Sequence, residues 1–181
     1  MLNIQEKKAL TVALIRKMQD AGSWTGETHI QKCTYFLEEF FNIDLNYDFI
    51  LYKHGPFSFH LRDELGALRA DDFILMEPRR PFGASFKPSK RADLLENKYN
   101  DLIREYDREL SFVVDRLANK SVKELEKVAT ALYVRNTEGV TDNIDIAKKI
   151  VELKPHVSLE DAKSAAEELE QYDNETENSL I

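Results

Sequence analysis

The chain has 181 residues, a formal net charge of −8 and one cysteine. This length can bury a hydrophobic core without help from a metal, and a single cysteine excludes a disulfide framework within the chain. No run approaches the roughly 20 apolar residues that span a bilayer, and no apolar segment typical of a signal peptide follows the first residues. We therefore expect a cytoplasmic protein that does not enter a membrane.

The charge is unevenly distributed along the chain. Residues 53–91 hold eight basic and five acidic side chains, whereas residues 156–181 hold eight carboxylates and one lysine. Proteins that bind nucleic acid through its phosphates usually carry a positive net charge. The acidic net charge argues against a nucleic-acid-binding protein, whereas the basic segment 53–91 keeps that class open. An ordinary solvated surface, with no functional charge pattern, fits the sequence equally well.

Hydrophobic spacing predicts two helices at the start of the chain. The first runs from about Ile4 to Ala21, and Thr25 is the expected N-cap of the second. Their inward faces consist of apolar residues at three- and four-residue spacings: Leu10, Leu14, Met18 and Ala21 in the first helix, and Ile30, Cys33, Leu37, Phe40 and Phe41 in the second.

An extended segment and a third helix are predicted next. Residues 47–52 are rich in aromatic and β-branched side chains, which favours a short strand. The Gly55-Pro56 pair then turns the chain, and Pro56 is expected to lead directly into the helix. Phe57, Leu61, Leu65 and Leu68 form the inward face of that helix.

A β-hairpin is predicted over residues 73–88. Its strands, 73–77 and 84–87, flank the sequence PRRPFG, whose prolines and glycine exclude a helix. Arg79 and Arg80 lie at the predicted tip. The order of helices, strand, helix and hairpin is that of a winged helix, so we expect a winged-helix-like domain over residues 1–88.

The second half is predicted to be helical. A long helix, capped by Ser89, spans about 90–118, and three shorter helices begin near Ser121, Thr141 and Ser158. Residues 154–156 form the hinge between the last two. The predicted fold is therefore mostly α with a small β-hairpin (α+β), comprising residues 1–88, a linking helix with C-terminal helices over 89–172, and a disordered tail over 173–181.

Two motifs flank the predicted strand: QKCTYFL at 31–37 and YKHGPFS at 52–58. In these motifs the chain resembles the YwgA-like, SocA-type proteins of the Panacea antitoxin group, whose pattern is Gln-Lys-small-x-Tyr followed by Tyr-x-x-Gly-Pro-aromatic-Ser. Residues 152–156 and 158–162 resemble the group more weakly. The departures are Cys33-Thr34, where aliphatic residues are more usual, and His54, where an aromatic or small residue is common.

The resemblance implies a winged-helix-like bacterial or phage protein that binds another protein, either neutralising a toxin or serving as an adaptor to a protease. It implies no catalytic residue and no cofactor. The motif residues that it marks for structure or partner binding are Gln31, Lys32, Tyr35, Tyr52, His54, Gly55, Pro56, Phe57 and Ser58. Gly55 and Pro56 also have a purely structural explanation, since together they fix a turn.

Catalytic and metal sites find little support in the residue pattern. His29 and Cys33 have a spacing that suits zinc, but Cys33 lies on the predicted core face. A triad of Ser58, a histidine (His54 or His60) and Asp63 would lack the Gly-x-Ser-x-Gly elbow of a hydrolase. We therefore expect a non-enzymatic protein without a metal.

Two binding functions remain. A protein partner is favoured by the aromatic content and the acidic balance, with Trp24, Phe59 and Phe82 in turn or outward positions. The alternative is a DNA-binding transcriptional regulator with helix three in the major groove. Its candidate contacts are Arg62 and Arg69 on the helix and Arg79 and Arg80 on the hairpin, although Asp63 and Glu64 dilute their charge.

Overall fold

The structure, a computed structural model, describes residues 2–79 and 83–178, without the side chains of Arg79 and Asn178. The chain divides into two compact units: residues 1–50 with 57–120, and residues 51–56 with 121–181. This differs from the predicted boundary at residue 88. Residues 92–117 belong to the first unit because the helices they form pack against its first helix.

Helices dominate the described residues, with two short two-stranded sheets between them. The helices are α1 (Ile4–Asp20), α2 (Glu27–Glu39), α3 (Phe59–Ala70), α4 (Ala92–Lys98), α5 (Asn100–Glu105), α6 (Asp107–Leu117), α7 (Val122–Glu138), α8 (Asn143–Leu153) and α9 (Leu159–Asn178). The strands are β1 (Phe49–Tyr52), β2 (Gly55–Ser58), β3 (Ile74–Arg79) and β4 (Gly83–Pro88), paired β1 with β2 and β3 with β4. The prediction of a mostly α fold with a small β-hairpin is confirmed.

The first two helices follow the predicted spacing, but the second has a different cap. Leu10, Leu14 and Met18 are buried, whereas Ala21 is the exposed C-cap of α1. Gly26, not Thr25, is the N-cap of α2. Thr25 instead joins the second hairpin: its hydroxyl donates to the carbonyl of Phe86 (2.6 Å), and the Phe86 amide donates to the carbonyl of Thr25 (2.9 Å).

The strand β2 replaces the predicted entry into helix three. Gly55 has φ +81°, which favours glycine, and residues 55–58 continue as a strand that pairs with β1. The helix α3 begins at Phe59, where Ser58 caps it by accepting a hydrogen bond from the Leu61 amide (3.2 Å). The expectation that Pro56 leads directly into a helix is therefore wrong, and Phe57 is buried on a strand.

The predicted hairpin over 73–88 is confirmed by β3 and β4, which run antiparallel with Ile74 opposite Pro88 and Arg79 opposite Gly83. The elements α1, α2, β1–β2, α3 and β3–β4 follow one another along the chain, so a two-stranded hairpin stands where a single strand was predicted before helix three. On the inner face of α3, Leu61, Leu65 and Leu68 are buried as predicted.

The predicted long helix over 90–118 is divided into α4, α5 and α6. Tyr99 and Tyr106 have non-helical dihedrals, although their amides still donate to the carbonyls of Leu95 (3.1 Å) and Leu102 (3.3 Å). All three segments contact α1. Because no glycine or proline lies at either tyrosine, we attribute these bends to packing around α1 rather than to a sequence breaker.

The second unit contains α7, α8 and α9. The helix α9 extends to Asn178, beyond the predicted start of a disordered tail at residue 173, and the tail's last three residues lie outside the described part. Tyr172 is buried, and Asp173 accepts a hydrogen bond from Arg135 (2.6 Å), so packing and charge hold this end of α9. Over the described ranges, no helix has the length and apolar character needed to cross a membrane.

Candidate functional site

A buried carboxylate lies at the centre of a polar cluster in the second unit. Glu126 belongs to the second turn of α7, and its side chain is 8% exposed. The helix begins with the predicted capping box, in which Ser121 accepts from the Glu124 amide (3.3 Å) and Glu124 accepts from the Ser121 amide (2.7 Å). This local start fixes the turn on which Glu126 lies.

Three cationic or ionisable side chains approach Glu126. Its Oε1 lies 3.3 Å from Lys154 Nζ and 3.3 Å from His156 Nε2, and its Oε2 lies 3.6 Å from His54 Nδ1. Lys154 is the buried C-cap of α8 and also donates to the carbonyls of Tyr52 (2.5 Å) and Lys53 (2.9 Å). One lysine thus neutralises Glu126 and holds the tip of the β1–β2 hairpin.

This cluster borders a cavity of about 810 Å³. Its walls come from the hairpin tip, the first turns of α7, the α8–α9 connection and the start of α9. The lining residues are Lys53, His54, Val122, Lys123, Glu126, Lys127, His156, Val157 and Asp161. A volume of this size is within the range of small-molecule sites.

The cavity carries more positive than negative charge. Lys127 is paired with Asp161 at 2.8 Å, and Glu126 is paired with Lys154. Lys53 and Lys123 have no ion partner among the described residues. Val122 and Lys123 are also the first two residues of α7, where the helix dipole is positive. In a protein of net charge −8, this is a local concentration of positive charge.

The motif residue Gln31 has a structural role in the first unit. Its side chain is fully buried, its Nε2 donates to the carbonyl of Ser58 (2.8 Å), and its Oε1 accepts from the amide of Ser58 (2.9 Å). The side chain thereby makes the two bonds that a neighbouring strand would make. Gln31 and Ser58 connect α2 to the end of β2 and leave neither backbone group of Ser58 unpaired.

The other motif residues divide between interior and surface. Lys32 and Tyr35 are buried on α2, and the Tyr35 ring contacts Phe49 edge-to-face at 4.9 Å. Gly55, Pro56 and Phe57 are buried on β2. Tyr52 and His54 are about half exposed at the end of β1 and the tip of the hairpin. The structure thus brings Gln31 and Ser58 together, and places His54 in the cavity of the second unit.

The residues predicted to contact DNA are partly neutralised. The Arg62 guanidinium lies 4.7 Å from the Phe57 ring centre, and its Nε donates to Glu27 (2.8 Å). His60 lies 3.3 Å from Asp48. Arg69 is exposed on α3, whereas Arg80 and the side chain of Arg79 lie outside the described residues.

A second concave surface lies between α3 and β3, with a volume of about 430 Å³. We call it the α3–β3 groove; it is lined by Gly66, Arg69, Ala70, Ile74, Leu75 and Met76. Leu75 and Met76 are 40% and 43% exposed. Arg69 is the one cation among the described residues that line it, so the groove is mainly apolar.

His29 and Cys33, whose spacing suits zinc, are both buried and differently engaged. His29 Nε2 is hydrogen-bonded to the carbonyl of Lys120 (2.8 Å), and burial lowers the pKa of this imidazole. Cys33 is completely buried, and burial raises the pKa of its thiol to about 12. No group of metal-binding side chains occurs within residues 2–79 and 83–178.

Sequence reasoning missed Glu126, Lys154, Lys53 and Lys123 as members of a site. Glu126 adjoins the apolar stripe of α7, and nothing in its spacing distinguishes it from a surface glutamate. The available signal was the weaker resemblance noted at residues 152–156, a segment that contains both Lys154 and His156.

No protein-family model matches this chain, and no curated protein matches it.

Proposed function

We propose that this protein is a non-enzymatic, antitoxin-like binding protein that holds a partner protein in the α3–β3 groove. The observation that carries the proposal is the apolar character of this groove, which lies beside the helix that a winged-helix DNA reader would use for recognition. Exposed Leu75 and Met76 provide apolar contacts, and Arg69 provides one cation for a partner carboxylate. The resemblance of the two motifs to the Panacea antitoxin group supports the same conclusion.

Gly66 supports a close approach by a partner. It lies inside α3, where glycine costs about 1 kcal/mol relative to alanine. A Cβ atom at this position would meet nothing within 4 Å, so no packing inside the described residues requires glycine. An open glycine in the wall of an apolar groove leaves room for a partner side chain or backbone.

The charges around α3 favour protein over nucleic acid. Glu27 pairs with Arg62, Asp48 lies beside His60, and Asp63 is exposed on the same helix. Each cation that is neutralised in this way contributes less to phosphate binding. A partner segment with apolar side chains and one carboxylate matches this surface better than a phosphate backbone does.

The test uses Gly66→Trp, which fills the groove, and Gly66→Ala, which leaves it open. Both variants and the wild type are expressed with the product of the neighbouring gene and used for affinity capture in the native host. We expect wild type and Gly66→Ala to form a stoichiometric complex and to relieve any toxicity of that product. Gly66→Trp should lose both effects while its thermal unfolding stays cooperative. Equal capture by all three proteins would refute the groove as the binding site.

The DNA alternative makes a different prediction. It requires sequence-specific retardation of the protein's own promoter fragment that disappears in a triple variant, Arg62→Ala, Arg79→Ala and Arg80→Ala. The basic balance of residues 53–91 is the observation that favours it. At low salt, where phosphate contacts are strongest, absence of retardation would eliminate this function.

A further inference from the structure

We propose that the cavity of the second unit binds a small organic anion that also carries a hydroxyl or amide hydrogen-bond donor. This ligand site is separate from the α3–β3 groove and adds a second binding function. The proposal rests on two unpaired lysines, a buried carboxylate oxygen without a hydrogen bond, and a cavity of suitable size.

The lysines determine the sign of the ligand's charge. Lys53 and Lys123 line the cavity from the hairpin tip and from the first turn of α7, and no carboxylate among the described residues pairs with either. The positive end of the α7 dipole adds to the same field. A carboxylate or phosphate ester would neutralise this charge, whereas a cationic ligand would be repelled.

Glu126 is the reason why the ligand must also carry a hydrogen-bond donor. Its Oε1 is buried and accepts no hydrogen bond, although Lys154 and His156 lie at ion-pair distance. A buried acceptor without a donor is costly, and such groups in native proteins usually find one. Because Lys154 already balances the charge of Glu126, a neutral O–H or N–H donor suits this oxygen better than a second ammonium group.

The remaining wall fits the carbon skeleton of such a ligand. Val122 and Val157 contribute apolar surface to the cavity, and the volume of about 810 Å³ accommodates a metabolite-sized molecule. His54 and His156, which face Glu126 from the hairpin tip and the α8–α9 connection, add two further polar groups. The chemical class is therefore an acid with a hydroxyl or amide group, such as a hydroxycarboxylate or a phosphate ester of a polyol.

The test compares malate with succinate, which differ by one hydroxyl group, and uses inorganic phosphate as an anion of minimal size. Binding to the full chain is followed by amide chemical shifts at ligand concentrations up to about 10 mM, which detects millimolar affinity. We expect malate to shift the amides of residues 53–54, 122–126 and 156–157. Malate should bind about tenfold more tightly than succinate if its hydroxyl donates to Glu126.

Matched lysine variants localise the effect. Lys53→Gln and Lys123→Gln should each weaken malate binding about fivefold. Lys163→Gln removes an exposed lysine of α9 outside the cavity and should leave binding unchanged. Thermal unfolding of each variant verifies that it folds.

Three results would overturn the proposal. They are no shift with any of the three anions, shifts that Lys163→Gln weakens as much as Lys123→Gln, and equal affinity for malate and succinate. Failure of this test would leave the α3–β3 groove unaffected, because the groove is tested by Gly66→Trp with a protein partner.

Discussion

Gln31 in the first unit and Glu126 in the second are both polar side chains buried on helices, but their surroundings differ. Gln31 forms two hydrogen bonds to the backbone of Ser58, one in each direction. Glu126 retains a buried oxygen without any hydrogen bond and borders a cavity of about 810 Å³. A buried amide whose oxygen and nitrogen are both hydrogen-bonded joins two elements of the fold. A buried carboxylate that lacks a hydrogen bond and borders a cavity indicates a place for a ligand.

This contrast changes how the motif residues are understood. Gln31, Tyr35 and Ser58 match the family-like pattern most clearly, yet all three lie in the interior, where Gln31 and Ser58 join α2 to β2. Lys53 and Lys123 remain available for binding. Lys53 occupies a position of the second motif at which the pattern specifies no residue, and Lys123 lies outside both motifs. The stronger resemblance therefore falls mainly on residues that hold the fold together, whereas the weaker resemblance at residues 152–156 includes His156, which lines the cavity.

The largest expected effect comes from breaking the charge pair in the second unit. Lys154→Met leaves Glu126 buried without its cation and removes the donor to two carbonyl groups, so we expect a loss of about 3–5 kcal/mol in unfolding free energy. Urea denaturation measures this loss, and Lys163→Met is the surface control. Adding Glu126→Gln to Lys154→Met should recover part of the stability. A single variant within about 0.5 kcal/mol of wild type would show that the pair contributes nothing.

The matching change in the first unit is Gln31→Leu. It leaves the amide and the carbonyl of Ser58 buried without partners, which should cost about 2–4 kcal/mol. The control is Gln19→Leu, an exposed position on α1 that should change stability by less than about 0.5 kcal/mol. If both variants unfold at the same urea concentration, the two bonds of Gln31 do not stabilise the junction.

Glu38 provides an intermediate case, a half-buried carboxylate that accepts from the Tyr47 amide (3.0 Å). Burial raises its pKa from 4.5 to about 7, so the folded state binds the proton more tightly than the unfolded state does. This contribution to stability is complete below pH 4.5 and is lost as the pH rises to about 7.

Glu38→Gln replaces the carboxyl group with a neutral amide and therefore removes this pH-dependent loss of stability. We expect its unfolding free energy relative to wild type to increase by about 1 kcal/mol between pH 5 and pH 8, a value reduced for the partial exposure of the side chain. Glu105→Gln removes an equal charge at an exposed site of the first unit and should show no such trend. A flat difference for Glu38→Gln would mean that burial does not perturb this carboxyl group.

The smallest effect concerns the open glycine of the groove. Gly66→Ala should raise the unfolding free energy by about 0.5–1 kcal/mol because alanine restricts the unfolded chain and favours the helix. Gly22→Ala is the matched control: its Cβ would also meet nothing within 4 Å, but its φ of +71° disfavours alanine. Thermal unfolding should therefore move in opposite directions for the two variants. Destabilisation by Gly66→Ala would indicate a constraint on this glycine within the fold.

Local patterns predicted most elements of the first unit and the start of α7 in the second unit. The apolar spacing of α1, α2 and α3, the Pro- and Gly-rich tip of the β3–β4 hairpin and the Ser121 capping box each act within a few residues, so the sequence reveals them. The strand β2 was missed because Gly-Pro-Phe-Ser is more typical of a turn. It is held as a strand partly by Gln31, 27 residues earlier in the chain.

The cavity could not be predicted for the same reason. Its residues come from segments about 100 residues apart, and the hydrogen bond from Lys154 to Tyr52 spans 102 positions. The bends at Tyr99 and Tyr106 likewise depend on how α4, α5 and α6 fit against α1 rather than on any residue that interrupts a helix. Periodicity identifies which face of an element is buried, but it does not identify the distant segment that covers it.

The reciprocal bonds between Thr25 and Phe86 give the first unit an internal reporter. The Phe86 amide can exchange its hydrogen with solvent only when β4 separates from the segment that precedes α2. Hydrogen–deuterium exchange at this single amide would therefore measure how often the hairpin detaches, and a ligand that spans α3 and β3 should slow it.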